Sequence, residues 1–271
     1  MCPSAVPNPD KQKSIQQAFS VSGIGLHRGQ LCQATFSPAP ADSGITFIYN
    51  GKSFPALAEN VTDTQRGITL GEVTLVEHIL SACAGLGLDN LVVSLSSPEP
   101  PILDGSALGF VQNLMAAGIV ELDQEKRFFK VKKSLKISEA DAVLELFPFA
   151  GFKIDFMIDF PIIGEMNFSY SGDFKEIAPA RTFGQVSELE SLQKNGLAKG
   201  ATLDNALAIG PHGYVNQPRF PDEPVRHKVL DLLGDLMLVG RPIHGAIRAR
   251  KSGHRHNVAL AQKIREEAKN A

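Results

Sequence analysis

Short apolar or alternating runs recur along the chain, each bounded by Gly, Pro, Asp or Asn, and they predict strands. They cover Gln17–Ser22, Gln30–Phe36, Ile45–Tyr49, Leu91–Leu95, Phe128–Ile137, Ala142–Phe147, Phe152–Phe160 and Ile243–Arg248. Apolar spacing near the helical repeat predicts helices over Thr74–Leu86, Ala107–Ala117, Glu223–Val239 and Arg255–Lys269, with a fifth over Ser187–Lys194. The charged run Glu121–Arg127 breaks both patterns and reads as a linker. It divides the chain into residues 1–124 and 125–271, each expected to be an α+β domain of strands, helix, strand, helix.

The two blocks share more than their order of elements. Val76-Glu77-His78 and Val225-Arg226-His227 both place V-x-H near a helix start, 149 residues apart (227 − 78). Gly85 and Gly234 keep the same offset, and Gly105 and Gly253 nearly keep it. A duplicated unit explains this economically. It would place His78 and His227 at equivalent points of two facing halves, and a cleft between halves is a common place for chemistry.

Composition narrows the chemistry. With 27 Lys+Arg against 29 Asp+Glu, the net charge of −2 argues against a general nucleic-acid binder. No apolar run is long enough for a membrane span. Met1–Ser14 is polar, with Pro3, Pro7 and Pro9, and does not read as a signal peptide, so a cytoplasmic protein is expected. The three cysteines, Cys2, Cys32 and Cys83, are scattered without a C-x-x-C pair, which excludes a thiolate zinc site as the default. Any metal must then be held by carboxylates and the seven histidines.

His227 and Asp231 lie one helical turn apart on one face, and imidazole and carboxylate are both good zinc ligands. His78 would complete a three-ligand set with a position open for water, and Glu77 beside it offers a general base. Spacing alone does not separate these from ordinary helix-surface pairs. Lys251-Ser252-Gly253-His254 precedes the last helix; His254 could protonate a leaving amine, with Asp235 orienting it or raising its pKa. In Ala180-Arg181-Thr182-Phe183-Gly184 the threonine hydroxyl could hold an oxyanion, and the phenylalanine offers an apolar surface. Gly23–Gly29 lacks dinucleotide-loop spacing and reads as a tight turn between strands. Asp104-Gly105-Ser106 reads as a helix cap.

Taken together, GIGLHRG (Gly23–Gly29), TLVEHILSACAGLGLDN (Thr74–Asn90), PILDGSA (Pro101–Ala107), ARTFG (Ala180–Gly184), GLAKG (Gly196–Gly200), DEPVRHKVLDLLGDLMLVG (Asp222–Gly240) and KSGH (Lys251–His254) resemble the UDP-3-O-acyl-N-acetylglucosamine deacetylases. These are zinc amidases of lipid A biosynthesis in Gram-negative bacteria. The resemblance runs from about Lys11 to the C-terminus. It implies two similar α+β domains with the site between them, and N-deacetylation of a UDP-3-O-acyl-GlcNAc as the committed step of that pathway.

By position, His78, His227 and Asp231 match the zinc ligands, a set that also suits iron(II). Glu77 matches the general base, His254 the general acid and oxyanion partner, and Asp235 its orienting carboxylate. Thr182 matches the oxyanion threonine, and Phe183 the aromatic near the sugar. Lys228 and Lys251 match basic residues that meet the diphosphate. An acyl passage is implied near Phe160–Phe168 and Ala198–Thr202, and a monomer is expected. Ala201-Thr202 stands where the family has a second Gly before Ser, which leaves the acyl length open. A hydrolase of another N-acetylated nucleotide sugar would carry the same metal set.

Overall fold

The computed structural model describes residues 10–269. Most of the Met1–Ser14 reading, and Cys2, lie outside them. The first half contains β1 (Lys11–Ile15), β2 (Phe19–Ile24), β3 (Leu31–Pro38), β4 (Ile45–Tyr49) and β5 (Lys52–Pro55). It continues with β6 (Val61–Asp63), β7 (Thr69–Leu70), β8 (Val73–Thr74), α1 (Glu77–Leu86), β9 (Leu91–Leu95), α2 (Leu108–Ala116) and β10 (Ile119–Glu125). The second half contains β11 (Phe129–Lys130), β12 (Leu135–Glu139), β13 (Ala142–Phe147), β14 (Phe152–Phe160) and β15 (Gly164–Tyr170). There follow β16 (Phe183–Gln185), α3 (Val186–Lys194), β17 (Leu207–Gly210), β18 (Gly213–Tyr214), α4 (Glu223–Leu236), β19 (Ile243–Arg250) and α5 (His254–Lys269).

The main sheets repeat one topology. In the first the order is β2-β3-β9-β4-β5, in the second β12-β13-β19-β14-β15, with β11 added beside β19. In each the last strand of the sheet in chain order runs parallel to one neighbour, β9 to β4 and β19 to β14, and the other pairs along this order are antiparallel. Each half also carries an insertion between its fifth sheet strand and its site helix: β6–β8 in the first, β16–β18 with α3 in the second. The fold is therefore α+β and duplicated.

Helices α1 and α4 pack together between the sheets. Their apolar faces, including Ile79, Leu80, Val229, Leu230 and Leu232, are fully buried. At about 1.5–3 kcal/mol per buried aliphatic side chain, that packing offsets the several kcal/mol that each buried ion costs. It lets α1 and α4 hold Glu77, Asp231 and Asp235 away from water. The offset glycines mark close approaches. A Cβ on Gly234 would lie 2.2 Å from the Glu77 carbonyl oxygen, and one on Gly85 would lie 2.2 Å from the Phe174 ring. Pro224 suits the first turn of α4, where no intrahelical N–H is needed.

Three expectations are corrected. The charged run Glu121–Arg127 is not a free linker, since β10 pairs antiparallel with β1 from Lys11↔Glu125 to Ile15↔Ile119. Its side chains are mostly exposed, so the apolar alternation that marks a strand is missing. The 124/125 boundary therefore falls inside a paired strand. Phe128–Ile137 is two strands separated by the turn that holds the exposed Lys132 and Lys133. The first helix begins at Glu77, not Thr74, because Leu75 is left-handed (φ 58°) and divides β8 from α1. Among the described residues no helix is long and apolar enough to cross a membrane.

Candidate metal centre and cavity

His78 enters on the first turn of α1, and His227 and Asp231 one turn apart on α4. Their ligand atoms lie within 4.8 Å of one another, and all three residues are buried. His227 Nε2 is 3.3 Å from Asp231 Oδ1, and His78 Nε2 is 4.0 Å from the same oxygen. The two rings meet edge to face at 5.1 Å. His227 Nδ1 donates to the Ala180 carbonyl (3.1 Å), which fixes the tautomer and leaves Nε2 bare toward the cluster.

The donor set fits a metal ion. Burial, reinforced by the neighbouring His227, lowers His78 to about 3. Burial also lowers His227. Both imidazoles are therefore neutral, the form that coordinates. Burial pushes Asp231 up, but the cations Lys228 and His254 outweigh it and hold the carboxyl below the ordinary carboxylate range. His78 Nδ1 is buried with no hydrogen-bond partner, an orphan a polar group would be expected to satisfy. Two imidazoles and one carboxylate can hold a metal ion and leave a coordination position open.

Glu77 and His254 stand beside the cluster. Glu77 Oε2 accepts the Ile68 N–H (2.9 Å), while Oε1 lies 4.0 Å from His254 Nε2. Burial first, then the charges of Asp235 and Asp231, raise Glu77 to about 7. His254 Nδ1 donates to Asp235 Oδ2 (2.8 Å), so its Nε2 faces the cluster, 3.8 Å from Asp231 Oδ2. Burial disfavours its charge, but Asp235, Asp231 and Glu77 outweigh it and raise His254 to about 9. Between these two values Glu77 is an ionised base next to a protonated His254.

The cluster opens on a cavity of about 600 Å³ lined by both halves. Thr182 and Phe183 line it, with Phe183 edge-on to His227 at 6.1 Å and to Phe160 at 5.3 Å. Of the segments expected to form an apolar passage, Phe160, Ala198, Ala201 and Thr202 line it. Met166 and Phe168 pack instead against the core. Further apolar wall comes from Val186, Leu189 and Leu192 of α3 and from Leu207 and Ile209. Lys228 also borders the cavity, but its ammonium donates to Asp231 Oδ2 (2.7 Å). Lys251 is not brought to the cavity wall: its ammonium lies between Asp141 (3.0 Å) and Asp159 (2.9 Å).

Several residues of the site were missed by sequence reasoning. Glu99 accepts the backbone N–H groups of His27 (2.6 Å) and Arg28 (2.7 Å), which fixes the turn Gly23–Gly29. His27 then joins the halves: its Nε2 donates to the Arg66 carbonyl, and its Nδ1 accepts the Ala198 N–H. Asn257, one turn beyond His254 on α5, donates to Asp235 Oδ2 (2.9 Å). The spacing of His254 and Asn257 was the available signal. Ser106 Oγ accepts the Leu108 N–H (3.1 Å) at the start of α2, but the cap position itself is Ala107, one residue beyond the segment the sequence pointed to. Cys32 and Cys83 are buried free thiols.

Arg181, beside Thr182, makes a buried ion pair with Glu223 next to the site. Its Nε donates to Glu223 Oε1 (2.9 Å), and Arg181 and Glu223 also bond through a second carboxylate oxygen. Burial pushes Glu223 up, but hydrogen bonds from Arg181 and Arg219 outweigh it and hold the carboxyl below its ordinary 4.5. Arg181→Met should therefore cost about 3–5 kcal/mol in urea unfolding, since it strands a buried carboxylate. Loss under 1 kcal/mol would show the pair to be dispensable. The lowered value means the contribution is present above pH 4.5 and fades as pH falls through the folded value.

The chain is similar to known proteins over most of its length. A UDP-3-O-acyl-N-acetylglucosamine deacetylase of Coxiella burnetii (strain CbuK_Q154) is 42% identical over 272 residues, 94% of this chain and 90% of its own. The protein of that name from Coxiella burnetii (strain RSA 493 / Nine Mile phase I) is also 42% identical over 272 residues, with the same coverage. One of the same name from Saccharophagus degradans (strain 2-40 / ATCC 43961 / DSM 17024) is 41% identical over 276 residues, covering 95% of this chain and 91% of its own. Residues 12–266 match the UDP-3-O-acyl N-acetylglycosamine deacetylase family, and the chain belongs to it.

Proposed function

We propose that this protein hydrolyses the N-acetyl group of a UDP-3-O-acyl-N-acetylglucosamine, releasing acetate and the free 2-amine for lipid A biosynthesis. The observation that carries the reading is the meeting of His78, His227 and Asp231 with Glu77 and His254 at one cavity that is largely apolar. His78, His227 and Asp231 would hold zinc, with iron(II) accepted by the same donors. When bound, the metal supplies a Lewis acid that polarises the carbonyl and brings the pKa of water down to about 7.

The chain's own residues supply the rest. Glu77 Oε1 takes a proton from the water that attacks the acetamide carbon. The Thr182 hydroxyl and protonated His254 stabilise the oxyanion. His254 then gives its proton to the departing nitrogen, and Asp235, supported by Asn257, holds its ring in register. Phe183 packs against the sugar. Lys228 and Lys251 belong to the diphosphate side; to meet a phosphate there, Lys251 exchanges a carboxylate partner for it. The acyl chain follows the apolar cavity. The same reading takes the protein as a cytoplasmic monomer of two domains, 1–124 and 125–271.

Metal analysis, chelation and re-addition, followed by rate measurements on acylated and non-acylated UDP-N-acetylglucosamine, test it. A metal-dependent rate that strongly favours the acylated substrate is expected, and equal rates would sink the lipid A assignment. Thr182→Ala should fold normally and lose about 10²–10³ in kcat, the cost of one oxyanion donor. A kcat within twofold of the wild type would remove Thr182 from that role.

A further inference from the structure

Both equivalent insertions contribute to the cavity wall, and the partly exposed Arg66 and Glu188 lie at its mouth. In the second, α3 contributes nothing to the core, and none of its residues is buried. Its apolar side chains Val186, Leu189 and Leu192 line the cavity instead. A helix held so lightly sits where its outer contacts place it. One such contact crosses from the first half: Arg66 Nη2 donates to Glu188 Oε2 at 2.8 Å, and both residues border the cavity.

Arg66 has a firm base. It lies in the turn between β6 and β7, where its carbonyl accepts from His27 Nε2 (3.2 Å). The next residue, Gly67, has φ 151° and no room for a side chain, since a Cβ would lie 2.7 Å from Glu77 Oε1. Ile68 then donates its N–H to Glu77 Oε2. The backbone at Arg66 is thus pinned beside the candidate base, and its guanidinium reaches outward to the lightly held wall.

We propose that the Arg66–Glu188 pair is a strap across the cavity mouth that fixes α3 and thereby sets which acyl chains the passage accepts. The inference rests on reading the cavity as the acyl passage. A short chain ends inside the cavity and leaves the strap closed. A long chain must pass α3, and α3 parts from the turn by opening the pair. The Arg66 and Glu188 side chains are 51% and 39% exposed, so the pair is weak and screened by salt. That strength suits a selector that biases chain length without barring long chains. Arg66 and Glu188 act as positioning residues.

The test compares kcat/KM of the holoenzyme for decanoyl and palmitoyl forms of the substrate. Arg66→Ala and Glu188→Ala should each raise the palmitoyl-to-decanoyl ratio about two- to fivefold, through KM for the longer chain. The exchanged pair, Arg66→Glu with Glu188→Arg, should return the ratio toward the wild type. High salt should raise it in the wild type and leave the single variants unmoved. An unchanged ratio in both single variants, or an exchanged pair that stays as shifted as they are, overturns the strap. If the wild type hydrolyses neither substrate, the functional reading fails by itself. The strap is then judged by cis-parinaric acid fluorescence, with tighter binding expected in both single variants and equal binding counting against it.

Discussion

Glu77→Gln should give a folded, metal-loaded protein whose deacetylation rate is about 10²–10⁴-fold lower, the usual contribution of a positioned general base. The substitution is close to isosteric and keeps an oxygen to accept the Ile68 N–H, so the turn that carries Arg66 stays in place. The pH profile gives a second, independent readout. Rate requires Glu77 ionised and His254 protonated. It therefore rises as pH passes the value of Glu77, about 7 in the metal-free protein, and falls as pH passes that of His254, about 9. A dication on the neighbouring ligands favours the carboxylate and moves the acid limb lower. In Glu77→Gln the acid limb should vanish while the alkaline limb remains. Near-normal turnover with metal bound would falsify the general-base assignment.

Legibility in the sequence followed the distance over which each feature is determined. Helix α4 could be read because its apolar repeat, Pro224 in the first turn and His227/Asp231 spacing are all local. The duplication could be read because V-x-H and the Gly85/Gly234 pair recur at one offset on the two site helices, and the shared strand order bears it out. Strand β10 could not, because its exposed face is charged and its pairing partner β1 lies at the other end of the half. Arg181–Glu223 and the Glu99 carboxylate under His27 were hidden for the same reason, since each joins segments that only the fold brings together. The carboxylates around Lys251 were out of reach of the motif that carries it. Asp141 and Asp159, which hold its ammonium, come from the turn before β13 and the end of β14, neither of them near KSGH in sequence.

His78→Ala should abolish stoichiometric metal binding and, with it, all activity above background. The remaining candidates, His227 and Asp231, sit on one helix, and His78 is the ligand α1 brings from the other half. This variant is a cleaner probe than Asp231→Ala. Asp231 also accepts from Lys228 Nζ at 2.7 Å, so its loss would strand a half-buried ammonium and confuse metal loss with unfolding. The His78 imidazole, by contrast, is neutral, and its Nδ1 bonds nothing. Metal per mole after dialysis is the first measurement, and the thermal transition with and without added zinc is the second. Binding to the folded state alone adds about 4 kcal/mol when metal stands a thousandfold above its dissociation constant. The wild-type midpoint should therefore rise with zinc while that of His78→Ala stays flat. A variant that keeps one metal per chain and the full zinc-dependent rise would remove His78 from the ligand set and, with it, the reason the two halves must meet for catalysis.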